Sequence, residues 1–205
     1  MKRLIALIAV IFTAVFVFLK SDGKIEIPQD AVILAFGDSL TKGYGAEENE
    51  SYPTHLGKIL NINVINAGVN GENSYKGVER LPQLLEEIKP RIVIFCHGGN
   101  DILRKYDLQN TKQNLTSMIT LMQSKNIEII FIGVPSLEGL FIGTNDIYGE
   151  LADEFGLIYD DDTLERIIKT PSLKSDQIHP NAAGYALLAQ NISEIFNKHF
   201  KITSR

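Results

Sequence analysis

Five short apolar runs, separated by stretches of helical spacing, most limit how this 205-residue chain can fold. They occupy residues 31–36, 62–65, 92–96, 127–132 and 157–159, and each is closed by a glycine or a polar residue. Between and after them, residues 52–60, 78–88, 108–124, 145–155, 164–169 and 181–200 carry apolar side chains at helical intervals. Runs this short and this apolar read as strands buried on both faces. Strands that alternate with helices from end to end predict an α/β fold, a three-layer α/β/α sandwich around a parallel sheet. In such sheets, sites form beyond the carboxyl ends of the strands.

The first twenty residues follow another pattern. Met1-Lys2-Arg3 precedes an apolar run over residues 4–19 in which only Thr13 is polar, and Lys20-Ser21-Asp22-Gly23 follows. A charged start before an apolar run is the layout of a membrane anchor or a secretory signal. Sixteen helical residues span about 24 Å, short of a hydrocarbon core of about 30 Å, and Arg3 and Lys20 can snorkel across the difference. The segment 1–20 therefore reads as an uncleaved single-pass anchor with the domain on the outer face, periplasmic or extracellular. Secretion after signal cleavage is the alternative. Residues 21–30 read as a polar tether, and 31–205 as the folded domain.

Residues 21–205 hold 17 Lys and Arg against 25 Asp and Glu, a balance of −8. An acidic domain repels phosphate backbones, so nucleic-acid binding is excluded as a reading. Cys96 is the only cysteine, which leaves neither an internal disulfide nor a cysteine metal site. It ends an apolar run and reads as a small buried hydrophobe. No His, Asp and Glu grouping has metal-ligand spacing, and no glycine-rich phosphate loop is present, so no metal or other cofactor is expected.

Three motifs sit where the first three runs end: Gly37-Asp38-Ser39-Leu40, Asn66-Ala67-Gly68-Val69-Asn70-Gly71 and Gly98-Gly99-Asn100-Asp101. A fourth, Asp176-Gln177-Ile178-His179-Pro180, precedes the last helical stretch. Taken singly, each is ordinary turn or cap chemistry. Taken together they supply the parts of acyl transfer. Ser39 is a candidate nucleophile just past a strand. His179 is a candidate base, and Asp176 can curl back to hold its tautomer. Asn100, behind two glycines, and the amides of Gly71 and Ser39 are candidate donors to an oxyanion. Asp101 is expected to hold its loop or cap a turn, and His97 to form a wall of the pocket. His55 reads as a partly exposed helix residue and His199 as a residue at a helix C-terminus. Gly-x-Ser-x-Gly is absent, so the nucleophile elbow of the α/β-hydrolases is not indicated.

In this order and at these places, the motifs make residues 31–200 resemble the GDSL, or SGNH, hydrolase family. The finer likeness is to bacterial multifunctional esterases with arylesterase, thioesterase and lysophospholipase activity. It is carried by Phe36 to Gly45, by Arg80-Leu81-Pro82-Gln83-Leu84-Leu85 and by Gly98 to Arg104. The resemblance implies a flavodoxin-like five-stranded sheet and no metal. It implies Ser39 as nucleophile, His179 as base, Asp176 as its partner, and an oxyanion hole made by the Ser39 amide, the Gly71 amide and Asn100. The substrate would be a small-molecule or lipid acyl ester or thioester. The segment from Pro135 to Gly143, with Leu137, Leu140, Phe141 and Ile142, is expected to border the acyl pocket. Two other readings fit the same parts: an O-deacetylase of cell-wall or surface sugars, and a non-catalytic lipid- or glycan-binding relic.

Overall fold

The computed structural model describes residues 23–138 and 141–203. The expected anchor, residues 1–20, lies outside the described residues, as does Leu140 of the segment expected to border the pocket.

The central sheet is parallel throughout. It contains β2 (Val32–Gly37), β3 (Asn63–Gly68), β4 (Ile92–Cys96), β5 (Glu128–Ile132) and β8 (Ile158–Asp160), in the spatial order β3-β2-β4-β5-β8. Relative to chain order, the first two strands are exchanged, as in flavodoxin-like sheets, so the winding reverses between β2 and β4. β4 is the middle strand and every one of its residues is buried. Each such side chain contributes about 1.5–3 kcal/mol over its exposed state. β3 is an edge strand, and Asn63 and Asn66 face solvent there.

Register sets the height at which the loops emerge. Gly37 pairs with Gly68 on one side and with Cys96 on the other. The three strands thus end level, and the three motif loops rise from one line across the switch point. Gly37 is needed here, because a Cβ on it would lie 2.0 Å from the Cys96 carbonyl oxygen.

Helices cover both faces. α2 (Tyr52–Leu60) packs against α8 (Ala182–His199), and α3 (Ser74–Ile88) packs against α5 (Leu108–Ser124), which also meets α6 (Asp146–Phe155). Right-handed crossovers put α3, α5 and α6 on the face opposite α2. α5 buries Thr111, Leu115, Met118, Ile119 and Met122, one stripe of a 3.6-residue repeat. Side-chain caps start the helices: Asn73 accepts from the Lys76 amide, Asn145 from Ile147 and Asn181 from Gly184.

Three features depart from the sequence reading. Residues 25–28 are not tether. They form β1 (Ile25–Pro28), paired in parallel with β9 (Phe200–Thr203), and Ile27 is fully buried. The alternation of Ile25 and Ile27 with polar neighbours was too short to stand out beside an acidic, lysine-bearing flank. The segment after β5, for which no element was expected, is an antiparallel hairpin, β6 (Pro135–Glu138) with β7 (Phe141–Thr144). Two very short helices follow strand ends, α1 (Ser39–Lys42) and α4 (Gly99–Leu103), too brief to leave a periodic signal. α7 (Thr163–Lys169) completes the set.

Candidate active site

Ser39 is the first residue of α1. Asp38 caps that turn, its Oδ1 accepting the Leu40 amide at 3.0 Å, and so turns the chain sharply as it leaves β2. Ser39 Oγ stands 3.0 Å from His179 Nε2. His179 Nδ1 lies 2.7 Å from Asp176 Oδ2, and Asp176 Oδ1 accepts the amides of Ile178 and His179, each at 2.8 Å. Burial pushes the Asp176 carboxyl up, but those amides and the His179 ring outweigh it and hold it below its usual range. An ionised carboxylate only accepts, so neutral His179 carries its proton on Nδ1 and offers the Nε2 lone pair to the Ser39 hydroxyl.

The Asp-x-x-His turn is closed on itself. The Ser175 amide donates to the His179 carbonyl at 2.9 Å, and Lys174 bridges to Pro180. The Tyr44 ring packs on the His179 ring, centroids 4.6 Å apart, and its carbonyl is held by the Tyr185 hydroxyl of α8 at 2.8 Å.

Asn100 opens α4. Its Nδ2 donates to the Glu72 carbonyl at 3.0 Å and to Asp38 Oδ2 at 3.3 Å. Burial raises the Asp38 carboxyl above its ordinary value, against the nearby His97 and the Leu40 and Asn100 donors. Gly71 takes a φ of +73°, and its carbonyl accepts Arg104 Nη2 at 2.9 Å. The amides of Ser39 and Gly71 meet no acceptor among the described residues. Ser39, Asn100 and His179 line one cleft. Gly71 is not among its walls and sits on the adjoining loop. The apolar walls come from Leu103 of α4, Val134 and Pro135 after β5, Leu164 and Ile168 of α7, and Ile178. The contribution of α7 was not foreseen, since nothing in its sequence separates a pocket wall from ordinary core.

The expected role of His97 is corrected. It is fully buried and forms no wall. Its Nδ1 accepts the Gly98 amide at 2.9 Å, which leaves Nε2 to donate to Glu72 Oε2 at 3.1 Å. Its acid partner lies 25 residues upstream and was out of view along the chain. Glu72 in turn takes a fork from Arg80, Nε at 2.8 Å and Nη2 at 2.5 Å. Asp101 does hold its loop, accepting the Ser74 amide and hydroxyl at 2.8 and 2.7 Å. The folded chain also brings the carboxylates of Asp160, Asp161 and Asp162 within 4.8 Å of one another. Asp160 there caps the start of α7 through the Thr163 amide at 3.1 Å.

Comparison with known proteins gives the family. The model of the GDSL-like Lipase/Acylhydrolase family matches residues 35–187. An arylesterase of Vibrio mimicus is 30% identical over 177 residues, covering 82% of this chain and 88% of that one. The thioesterase 1/protease 1/lysophospholipase L1 of Escherichia coli strain K12 is 32% identical over 164 residues, covering 77% and 79%. A crystal structure of TesA superposes with a TM-score of 0.73 at 28% identity, covering 80% of this chain and 97% of that one.

Proposed function

The chain belongs to the GDSL-like lipase/acylhydrolase family, and we propose that it hydrolyses acyl esters and thioesters through an acyl-enzyme on Ser39. The observation that carries this reading is the relay from Ser39 Oγ through His179 to Asp176, with links of 3.0 and 2.7 Å. His179 Nε2 takes the hydroxyl proton as Ser39 Oγ attacks the carbonyl carbon. Asp176 stabilises the imidazolium that results. The oxyanion receives the Ser39 and Gly71 amides and Asn100 Nδ2. Of the two hydrogens on that nitrogen, the one making the long contact to Asp38 is offered to it. The imidazolium then protonates the leaving alcohol or thiol. Water, deprotonated by the same nitrogen, releases the acid and restores Ser39.

The cleft walls favour an acyl chain over a sugar, because Leu103, Val134, Leu164 and Ile168 offer apolar contact. A fluorophosphonate probe should label Ser39, read by peptide mass. Hydrolysis should then be profiled on p-nitrophenyl esters of rising chain length, on acyl-coenzyme A thioesters and on acetylated sugars. Preference for acylated over acetylated substrates supports the reading. Labelling elsewhere overturns the mechanism, and activity confined to acetylated sugars makes the protein a deacetylase.

The location proposed is a membrane, through residues 1–20. Lys2 and Arg3 ahead of the apolar run support it. Among the described residues, no helix is long and apolar enough to cross a bilayer. External protease should digest the domain in spheroplasts, and the intact mass of extracted protein should include residues 1–20. A mature chain that begins near Lys24 indicates a cleaved signal instead.

A further inference from the structure

Three separate chain segments carry the proposed oxyanion donors: the turn after β2 with Ser39, the loop with Gly71, and the turn after β4 with Asn100. One ion pair reaches the end of β2, the loop of Gly71 and the residue that follows β4. Arg80, on α3, grips both oxygens of Glu72. The same guanidinium lies over the Phe36 ring of β2, 4.5 Å from its centroid, and its Nη2 comes to 3.5 Å from the Gly37 carbonyl. Glu72 adjoins Gly71. Its carboxylate accepts from His97, the residue that follows β4, at 3.1 Å, and its own carbonyl accepts from Asn100 Nδ2 at 3.0 Å. Arg104 holds the Gly71 carbonyl from the other side.

The Glu72 side chain is only 6% exposed and that of Arg80 25%. A pair this buried adds little net stability, because desolvation offsets most of the Coulombic gain. Its effect here is geometric. Parallel strands of one sheet can slide or twist by fractions of an ångström at their ends. A planar fork held by two hydrogen bonds and a stacking contact resists that motion. Donors misplaced by about 1 Å cost about 10²-fold in rate.

We infer that Glu72 and Arg80 are positioning residues for the reaction, holding the Ser39, Gly71 and Asn100 donors in one geometry. The inference rests on the acyl-enzyme reading above. Glu72→Gln removes the charge and Arg80→Lys removes the fork. Both should be compared with Asn100→Ala on p-nitrophenyl butyrate and for binding of an alkyl trifluoromethyl ketone, whose adduct with serine places an oxyanion. In each of the two variants kcat should fall about 10- to 100-fold, with KM within about twofold of wild type. Ketone affinity should fall in proportion to kcat/KM. The double variant should lose little more than either single, because both break one device. Folded Glu72→Gln or Arg80→Lys protein with wild-type kcat and ketone affinity overturns the inference, even with a lowered Tm. Arg80 is partly solvent-facing, so Arg80→Lys keeps the test open if Glu72→Gln does not fold. Wild-type kcat in Asn100→Ala overturns instead the oxyanion reading on which the inference rests.

Discussion

Ser39 and His179 are separated by 140 residues of chain, yet Ser39 Oγ stands 3.0 Å from His179 Nε2. Two independent anchors make the distance. The Asp38 cap fixes Ser39 at the carboxyl end of β2. The closed turn from Lys174 to Pro180 fixes His179 at the start of α8, which packs on α2. The hydroxyl is therefore aimed before substrate arrives.

Removing that hydroxyl should abolish turnover. Ser39→Ala is expected to lower kcat by about 10⁴-fold while thermal unfolding stays close to wild type. Steady-state kinetics and a melting curve on the same preparation check it. Substantial activity in a folded variant contradicts the acyl-enzyme.

Asn100→Ala should lower kcat by roughly 10²–10³-fold and move KM much less, since the donor acts on charge that forms only in the transition state. A change confined to KM means that Asn100 serves ground-state binding alone.

Asp176→Asn should cut kcat by about 10²-fold or more, because the amide cannot hold the His179 tautomer as the carboxylate does. It also has a pH signature. The native carboxyl is depressed below its ordinary 3.8, so the stability it adds is complete above that value and is lost as pH falls through the lower native value. Urea unfolding should show a gap between wild type and Asp176→Asn at pH 7 that shrinks below about pH 3.8. A gap that widens on acidification contradicts a depressed native carboxyl.

Leu103 lines the cleft and is half exposed, so truncating it should not disturb the fold. Leu103→Ala should reduce kcat/KM for octanoyl esters by roughly five- to tenfold and leave acetyl esters nearly unchanged. Equal losses on both substrates place Leu103 away from the acyl chain.

Removal of residues 1–23 should leave a folded, active enzyme, since every motif begins at Phe36 or later. Removal of residues 1–30 should not be equivalent. It strips β1, exposes the partner edge of β9 and deletes the buried Ile27, a loss of roughly 2–5 kcal/mol. Denaturant midpoints of the two truncated proteins decide between a strand and a tether.

The legible parts of this protein share a local cause. Helices α2 and α5 were bounded from sequence to the residue, because a 3.6-residue repeat with capping and stop residues is written along one stretch of chain. β2, β4 and β5 were visible as apolar runs, and their two-sided burial explains why they lack alternation, whereas β3, also read as buried on both faces, lies at the sheet edge with Asn63 and Asn66 exposed. Ser39, Asn100, Asp176 and His179 drew attention because each stands beside a strand end or a helix start. β1 and β9 were missed because each is four residues long and gains its hydrogen bonds from the other end of the chain. The hairpin of β6 and β7 was missed because each strand is only four residues long, too short to show alternation.

Sequence by itself determined the alternation of strands and helices, the parallel character of the sheet, and the residue types offered at the strand ends. Those follow from local periodicity and from the burial that apolar runs demand. Only the tertiary structure decided that Glu72 meets both Arg80 and His97, that Leu164 and Ile168 of α7 wall the cleft, and that Asn100 is held between Glu72 and Asp38. Each of these depends on sheet order and register, which bring together side chains from segments with no periodic relation to one another. A buried charge finds its partner through desolvation, and that cost exists only once the chain has closed around it.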